Sequence, residues 1–130
     1  MRVLQVCTGR AQEVTIASRR VLTAIGKSAR AGAVALTALG LEGDEQADPS
    51  AHGGLSKALY AYPSEHHAFW RTVRAQARVS PWDEALPPGL FGENLVLAGL
   101  VEARLWIGDR LRLRTTVAGA TAPTYNYSAR

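Results

Sequence analysis

The chain has 130 residues, a length that suits one domain with an ordinary hydrophobic core. Its composition, 47% hydrophobic and 20% charged, is typical of a soluble globular protein, and no run approaches the roughly 20 apolar residues of a membrane span. The net charge is +4, but the basic residues are scattered and the middle of the chain is acidic, which argues against nucleic-acid binding. The N-terminus lacks the apolar core of a signal peptide and there is a single cysteine, so we expect a cytoplasmic protein.

The first predicted strand covers residues 3–8. Simple alternation places Leu4 and Val6 on one face of this strand and Val3 on the other. Cys7 lies in the same strand, with no histidine or second cysteine near it in the sequence. We therefore interpret Cys7 as a small core residue rather than a nucleophile.

Further elements follow from apolar patterning and from proline and glycine positions. Residues 19–25 and 33–39 are apolar, partly β-branched runs that predict strands, although the alanines of 33–39 also suit a helix. The side chains of residues 57–62 alternate between two faces, which predicts a strand that begins at Lys57. The clearest helix is predicted near residues 63–78, because Pro63 presets the first helical turn and an acidic residue follows.

The second half of the chain adds short strands rather than further helices. An apolar strand is predicted over residues 95–97, and residues 110–117 alternate basic and apolar side chains like a half-exposed strand. Many short strands at close spacing with one well-defined helix indicate a mainly β, barrel-like single domain over residues 1–130.

Residues 40–70 hold all three histidines, one of the two lysines and several acidic residues, which suggests a binding site. Within this stretch His52 precedes Gly53 and Gly54, and paired glycines let backbone N–H groups line a concavity that holds an anion. Lys57 would add a further donor. Local chemistry alone leaves two interpretations open, an anion site and a simple tight turn.

Two adjacent histidines occupy the start of the predicted helix. His66 either lines the site or packs beside Trp70, and the sequence does not choose between these roles. For His67 we favour a packing or solvated role over metal binding.

Five motifs occur together and in order, and their combination is more specific than any one of them. They are GLEGDEQAD, HGG with a following lysine, YAYPSEH, LPPG followed by FGENL, and IGDRLRL. With these motifs the chain resembles the MOSC domain family, named for the C-terminal domain of molybdenum cofactor sulfurase. Within that family it is similar to the bacterial stand-alone proteins that confer resistance to hydroxylaminopurine.

The resemblance implies a β-barrel-like fold that binds the molybdenum cofactor, an anionic pterin dithiolene with a phosphate tail. It also implies reduction of N-hydroxylated small molecules, such as base analogues, with electrons delivered by a flavoprotein reductase. The residues that the resemblance assigns to cofactor anions are Gly53, Gly54 and Lys57. His52 is assigned a hydrogen bond or a proton transfer. The residues assigned to orienting the loops or the pterin edge are Asp44, Glu93 and Asn94.

The end of the chain departs from the family pattern. Similar proteins carry a Pro-Arg-x-Pro-Cys segment, whose cysteine binds molybdenum, followed by a further C-terminal region. Here Thr124 follows Pro123 at the corresponding position, and Cys7 lies at the wrong end of the chain to replace the ligand. A threonine alkoxide is a conceivable ligand, but it is harder than a thiolate, so we expect weakened or lost molybdenum binding. A truncated or frame-altered tail is the second explanation.

Two hypotheses about function therefore remain. The chain is either a molybdenum-cofactor reductase of N-hydroxylated compounds or a non-catalytic module that keeps the anion pocket. A sheet edge left uncovered by a missing C-terminal region would favour pairing with a second copy, so a homodimer is also a prediction.

Overall fold

Strands dominate the part of the chain that the computed structural model describes, which comprises residues 1–50, 53–106, 109 and 116–118. The strands in this part are β1 (Arg2–Thr8), β2 (Gln12–Ile16), β3 (Arg19–Thr23), β4 (Ser28–Ala29), β5 (Ala33–Thr37), β6 (Gly40–Leu41), β7 (Ala61–Pro63), β8 (Leu95–Ala98) and β9 (Thr116–Ala118). One α-helix, α1 (His67–Gln76), lies between β7 and β8. The predicted mainly β class is confirmed.

The described strands form three sheets. The largest has the order β4-β1-β8-β7, a hairpin joins β2 to β3, and the third sheet has the order β6-β5-β9. These strands do not close into a barrel. Strand β5 pairs antiparallel with both β6 and β9, which decides between the two interpretations of residues 33–39 in favour of a strand.

The core forms where β1 lies against β8. Val3, Val6, Leu95 and Leu97 are all at most 3% exposed and pack together. The register of β1 against β8 shifts between Val3 and Gln5, which leaves Leu4 as an extra residue in the strand.

This shift corrects the predicted face assignment of β1. Because a bulge reverses the alternation of side chains, Val3 and Val6 both face the core, although they lie three positions apart and regular alternation would place them on opposite faces. The sequence pattern alone carries no signal for the bulge, since Leu4 is as apolar as Val3 and Val6.

The predicted helix is confirmed with slightly different bounds. Residues Ser64–His66 form one 3-10 turn after Pro63, and α1 continues from His67 to Gln76. The helix ends at Ala77, and Arg78 adopts a left-handed φ of 55°, a conformation that stops helices. None of its residues is fully buried, so α1 lies on the outside of the sheet.

Two local predictions need correction. The predicted strand over residues 57–62 is wrong, because Leu55–Lys57 form a 3-10 turn and the strand begins at Ala61, where pairing with Leu95 begins. Strand β2 was not predicted. It pairs with β3 through a tight turn at Ala17 and Ser18, which have φ values of 47° and 66° without the glycine or asparagine that usually signals such a turn.

The later elements are described only in part. Strand β8 confirms the strand predicted over residues 95–97. Of the strand predicted over 110–117, residues 110–115 lie outside the described residues, and Thr116–Ala118 form β9. Across the described ranges, no helix has the length and apolar character needed to cross a membrane.

Candidate functional site

A cavity of about 710 Å³ collects side chains from four separate segments of the chain. These segments are β3 with the residues after it, the acidic loop 44–48, the 3-10 turn that carries Lys57 with the residues on either side, and the turn before β8. Both lysines of the protein, Lys27 and Lys57, line this cavity. Lysine, which is rare in the sequence, is therefore concentrated in one place.

A largely buried ion pair at the cavity joins Lys27 to Asp44. The Lys27 Nζ atom lies 2.5 Å from Asp44 Oδ1, and the two side chains are only 8% and 6% exposed. The same carboxylate accepts the backbone N–H of Gly9 at 2.8 Å and the side-chain amide of Asn94 at 2.8 Å. Asp44 thus connects the end of β1, the segment before β4 and the turn before β8.

Asn94 extends this network toward the cavity wall. Its side-chain amide also donates to the backbone carbonyl of Cys7 at 3.3 Å, while its Oδ1 atom accepts the N–H of Tyr60 at 3.1 Å. The backbone N–H of Asn94 donates in turn to the Tyr60 carbonyl at 2.7 Å. Asn94 is 4% exposed and holds two walls of the cavity together.

Glu93 lies behind the cavity rather than in its lining. It is fully buried, and its carboxylate accepts the backbone N–H groups of Gly89 at 2.7 Å and Phe91 at 2.9 Å. A buried carboxylate is stable only when such donors satisfy it. The contacts of Glu93 indicate that it shapes the loop that presents Phe91 to the cavity.

The paired glycines occupy the region in which the sequence suggests an anion cradle. Gly53 lines the cavity, and it has a φ of 118°. A Cβ atom at Gly53 would overlap the end of the Gln46 side chain, and the positive φ of Gly53 is one that residues with a side chain rarely adopt. The N–H of Gly54 donates to Gln46 Oε1 at 3.2 Å, and the Gln46 side chain donates weakly to the Leu39 carbonyl at 3.4 Å.

Two predicted site residues lie outside the described residues, namely His52 and Thr124. Of the remaining predicted residues, four line the cavity: Asp44, Gly53, Lys57 and Asn94. Gly54 and Glu93 support the lining from outside. The described residues contain no group of three or more His, Cys, Asp or Glu side chains that would hold a metal ion.

Cys7, the only cysteine, does not have the properties of a metal ligand. It is fully buried in β1. Burial, with a smaller contribution from the negative charge of Glu93, raises the pKa of the Cys7 thiol to about 11, so the thiol stays protonated near neutral pH. The interpretation of Cys7 as a core residue agrees with this environment.

An aromatic cluster backs the cavity next to Phe91. The Phe91 ring lies 4.8 Å from that of Tyr62 and 5.5 Å from that of Trp70, and the Trp70 indole N–H donates to the Tyr62 hydroxyl at 2.5 Å. The His67 ring stacks on Tyr62 at 6.0 Å. His66 instead points to the surface, where its Nε2 atom lies 2.7 Å from Glu102. Both histidines thus have packing or surface contacts.

Lys27 and the apolar residues of the cavity were not predicted from the sequence. Lys27 lies in a turn-like segment that carries no motif and reaches Asp44 across 17 residues of chain. The one signal available was its rarity, because the chain has only two lysines.

The comparisons with known proteins give a consistent family. Residues 48–125, more than half of the chain, match the MOSC domain. The chain belongs to the MOSC domain family. The residues that match include the glycine pair, Lys57 and the turn with Glu93 and Asn94, whereas Lys27 and Asp44 lie before the matched segment.

Three relatives extend the match toward the N-terminus. The chain is 36% identical over 121 residues to the uncharacterized protein YflK of Bacillus subtilis, covering 93% of this chain and 51% of the relative. It is 44% identical over 91 residues to protein YiiM of Escherichia coli, covering 69% and 38% respectively. A protein named reductase from Gibberella moniliformis is 33% identical over 111 residues, covering 85% and 18%.

The solved structures lead to the same family. The crystal structure of YiiM from Geobacillus stearothermophilus is 30% identical, with a TM-score of 0.52, over 83% of this chain and 43% of that one. The presence of YiiM among both relatives and structures fits the hydroxylaminopurine-resistance branch predicted from the sequence. The chain spans about half the length of YflK and smaller shares of the other relatives.

The described lining offers partners for the anionic part of a molybdenum cofactor beside three carboxylates, those of Asp44, Glu45 and Asp48, of which Asp44 is paired with Lys27. The cavity offers two lysines, and at Gly53 the absence of a side chain permits close backbone approach. Lysine ammonium groups and glycine backbones are common partners of phosphate groups. This comparison concerns the phosphate only, since Thr124, the residue predicted from the sequence at the metal-ligand position, lies outside the described residues.

Proposed function

We propose that this MOSC domain binds the molybdenum cofactor and reduces N-hydroxylated small molecules such as hydroxylaminopurine. The observation that carries the proposal is the meeting of Lys27, Lys57, Asp44 and Asn94 in one cavity of a MOSC domain. The name reductase of one relative supports the reaction class. Delivery of electrons by a flavoprotein reductase, a cytoplasmic location and a homodimeric state belong to the same proposal.

The proposed roles of the residues follow from their contacts. Lys57 and Lys27 would hold anionic groups of the cofactor, and Asp44 keeps the Lys27 ammonium group at the cavity wall. Asn94 fixes the positions of Asp44 and Tyr60. His52 is proposed as a proton donor. When bound, the cofactor supplies a redox-active metal that accepts the hydroxylamine oxygen.

The second candidate function is a cofactor-binding or anion-binding module without redox turnover. One observation favours it: the only cysteine is buried, has a raised pKa, and lies in β1, far in sequence from the ligand position of the family. A threonine at position 124 offers molybdenum a much harder oxygen ligand. This module would keep the lysines and the glycine turn while losing the reaction.

Metal analysis and an activity assay on one sample distinguish the two functions. The chain is expressed in a host that makes the cofactor, molybdenum is measured by mass spectrometry, and conversion of hydroxylaminopurine to adenine is followed with reduced methyl viologen as electron donor. Stoichiometric molybdenum with turnover supports the reductase. Bound pterin without turnover supports the binding module, and absence of both pterin and molybdenum contradicts the reductase and the cofactor-binding form of the module.

The assignment of Thr124 has its own test. If it occupies the ligand position, Thr124→Cys should increase bound molybdenum and turnover. Thr121→Cys places a thiol three residues away in the same tail and serves as the matched control. Equal gains in the two variants would contradict the assignment.

A further inference from the structure

One side of the cavity is apolar and exposed, whereas the buried ion pair between Lys27 and Asp44 lies on another side. Val21 and Ile25, in and just after β3, line the cavity while remaining 39% and 58% exposed. Leu59 and Phe91 belong to the same lining. Apolar side chains left open beside a buried Lys27–Asp44 ion pair suit a ligand that has both a flat apolar body and a polar end.

Part of the apolar side is held in place from behind. The Ile25 Cγ1 atom lies so near Gly92 that a Cβ atom there would be only 3.0 Å away, which brings Ile25 against the turn that carries Phe91. The Phe91 ring is in turn fixed by Tyr62 and by the backbone hydrogen bond to Glu93. Little ordering is needed when a rigid surface of this kind binds a planar ring, which favours affinity.

We propose that Val21, Ile25 and Phe91 form a ring-binding wall that makes the site selective for aromatic over aliphatic N-hydroxylated compounds. The inference rests on the proposed function for the reaction, but the binding of the ring does not depend on turnover. The wall contacts the apolar face of the ring, and Lys27 and Lys57 remain the proposed partners of the cofactor anions.

Two isoleucines provide a matched test. Ile25 and Ile16 are both 58% exposed and belong to the same region of the chain, but only Ile25 lines the cavity. In Ile25→Ala the KM for hydroxylaminopurine should rise about fivefold or more, since each lost methylene contact weakens binding several-fold. The KM for N-hydroxyurea, which has no ring, should change less than twofold, and Ile16→Ala should leave both values unchanged.

A binding measurement separates failure of the wall from failure of the proposed function. Adenine, the expected product, is titrated into the protein by calorimetry, and its affinity should fall in Ile25→Ala but not in Ile16→Ala. If adenine binds in this way without any turnover, the wall is supported and the reductase function is contradicted.

Several results would overturn the wall. They are an absence of adenine binding to the unsubstituted protein, equal effects of Ile25→Ala and Ile16→Ala, or equal effects of Ile25→Ala on the aromatic and aliphatic substrates. If Ile25→Ala does not fold, Ile25→Val keeps the β-branched shape and should give a smaller loss of adenine affinity, with the same control.

Discussion

Replacement of Asp44 by asparagine would leave the Lys27 ammonium group buried without its counter-charge. The pair is 2.5 Å apart and both side chains are less than a tenth exposed. Asparagine has nearly the same shape, but its amide group cannot accept from both the Gly9 N–H and the Asn94 amide as the carboxylate does. Removal of one partner from a buried pair costs about 3–5 kcal/mol. Because the pair adjoins an open cavity, we expect a cost of about 3 kcal/mol, the lower end of this range.

We therefore expect Asp44→Asn to lower the free energy of unfolding by about 3 kcal/mol, or the melting temperature by roughly 10 °C. Urea unfolding at neutral pH, followed by tryptophan fluorescence and circular dichroism, measures the change. Lys27→Met and the double variant complete a cycle in which the coupling energy should be about 1–3 kcal/mol.

The matched control is the ion pair between Arg20 and Glu13. Its atoms lie 2.9 Å apart, but the side chains are 80% and 59% exposed. Arg20→Met should cost at most about 1 kcal/mol, because exposed pairs are screened by water. If Asp44→Asn costs no more than Arg20→Met, or if the coupling energy is zero, the buried pair does not have the energetic role argued from its burial.

Three further predictions concern other parts of the molecule. Gly53→Ala should destabilise the protein by about 2 kcal/mol, because the new Cβ overlaps Gln46 and φ is 118°. Adding Gln46→Ala should remove only the part of this loss that is due to the overlap, and thermal unfolding of the single and double variants measures that part. The hydrogen bond from the Gly99 N–H lowers the pKa of Glu65 below its ordinary value of 4.5. The stabilising contribution of the Glu65 carboxylate is therefore complete above pH 4.5, and it is lost as the pH falls through the lowered pKa of the folded state. Glu65→Gln should accordingly weaken the acid dependence of the unfolding free energy, and an unchanged pH profile would argue against this contact. Cys7 should resist thiol reagents at pH 8 until the protein unfolds, since burial raises its pKa to about 11, and rapid labelling of the native protein would contradict its placement in the core.

The elements that sequence patterns predicted correctly are those whose local signal agrees with their tertiary setting. Strands β1, β3 and β5 carry β-branched or alternating apolar residues, and the 3-10 turn that leads into α1 follows Pro63 directly. Strand β8 is buried along three consecutive residues, so its continuous apolar run matches its central position between β1 and β7.

The failures arise where tertiary contacts decide the local structure. Alternation over residues 57–62 suggested one strand, but only the part that pairs with β8 is extended, and the preceding glycines turn the chain at Lys57. The bulge at Leu4 has no signature because it depends on the register against β8.

The candidate site was predicted only in part for a similar reason. The sequence clusters Asp44, Gly53 and Lys57 in one stretch, so local density was enough to suggest them. Lys27 and Ile25 reach the cavity only after β3 and the 44–48 loop come together. Glu93 and Asn94 were placed near the site through the family motif, but their bonding to Phe91 and Asp44 required coordinates.

The pairing of β1 with β8 constrains the order in which this chain acquires structure during synthesis. Asn94 reaches back to Cys7 across 87 residues, and the central apolar cluster contains residues from both strands. The first strand therefore leaves the ribosome long before its neighbour exists, and closing so long a loop is slow. Until β8 emerges, β1 exposes an unpaired edge and apolar residues to other nascent chains, so a chaperone that shields the N-terminal segment would raise the yield of folded protein.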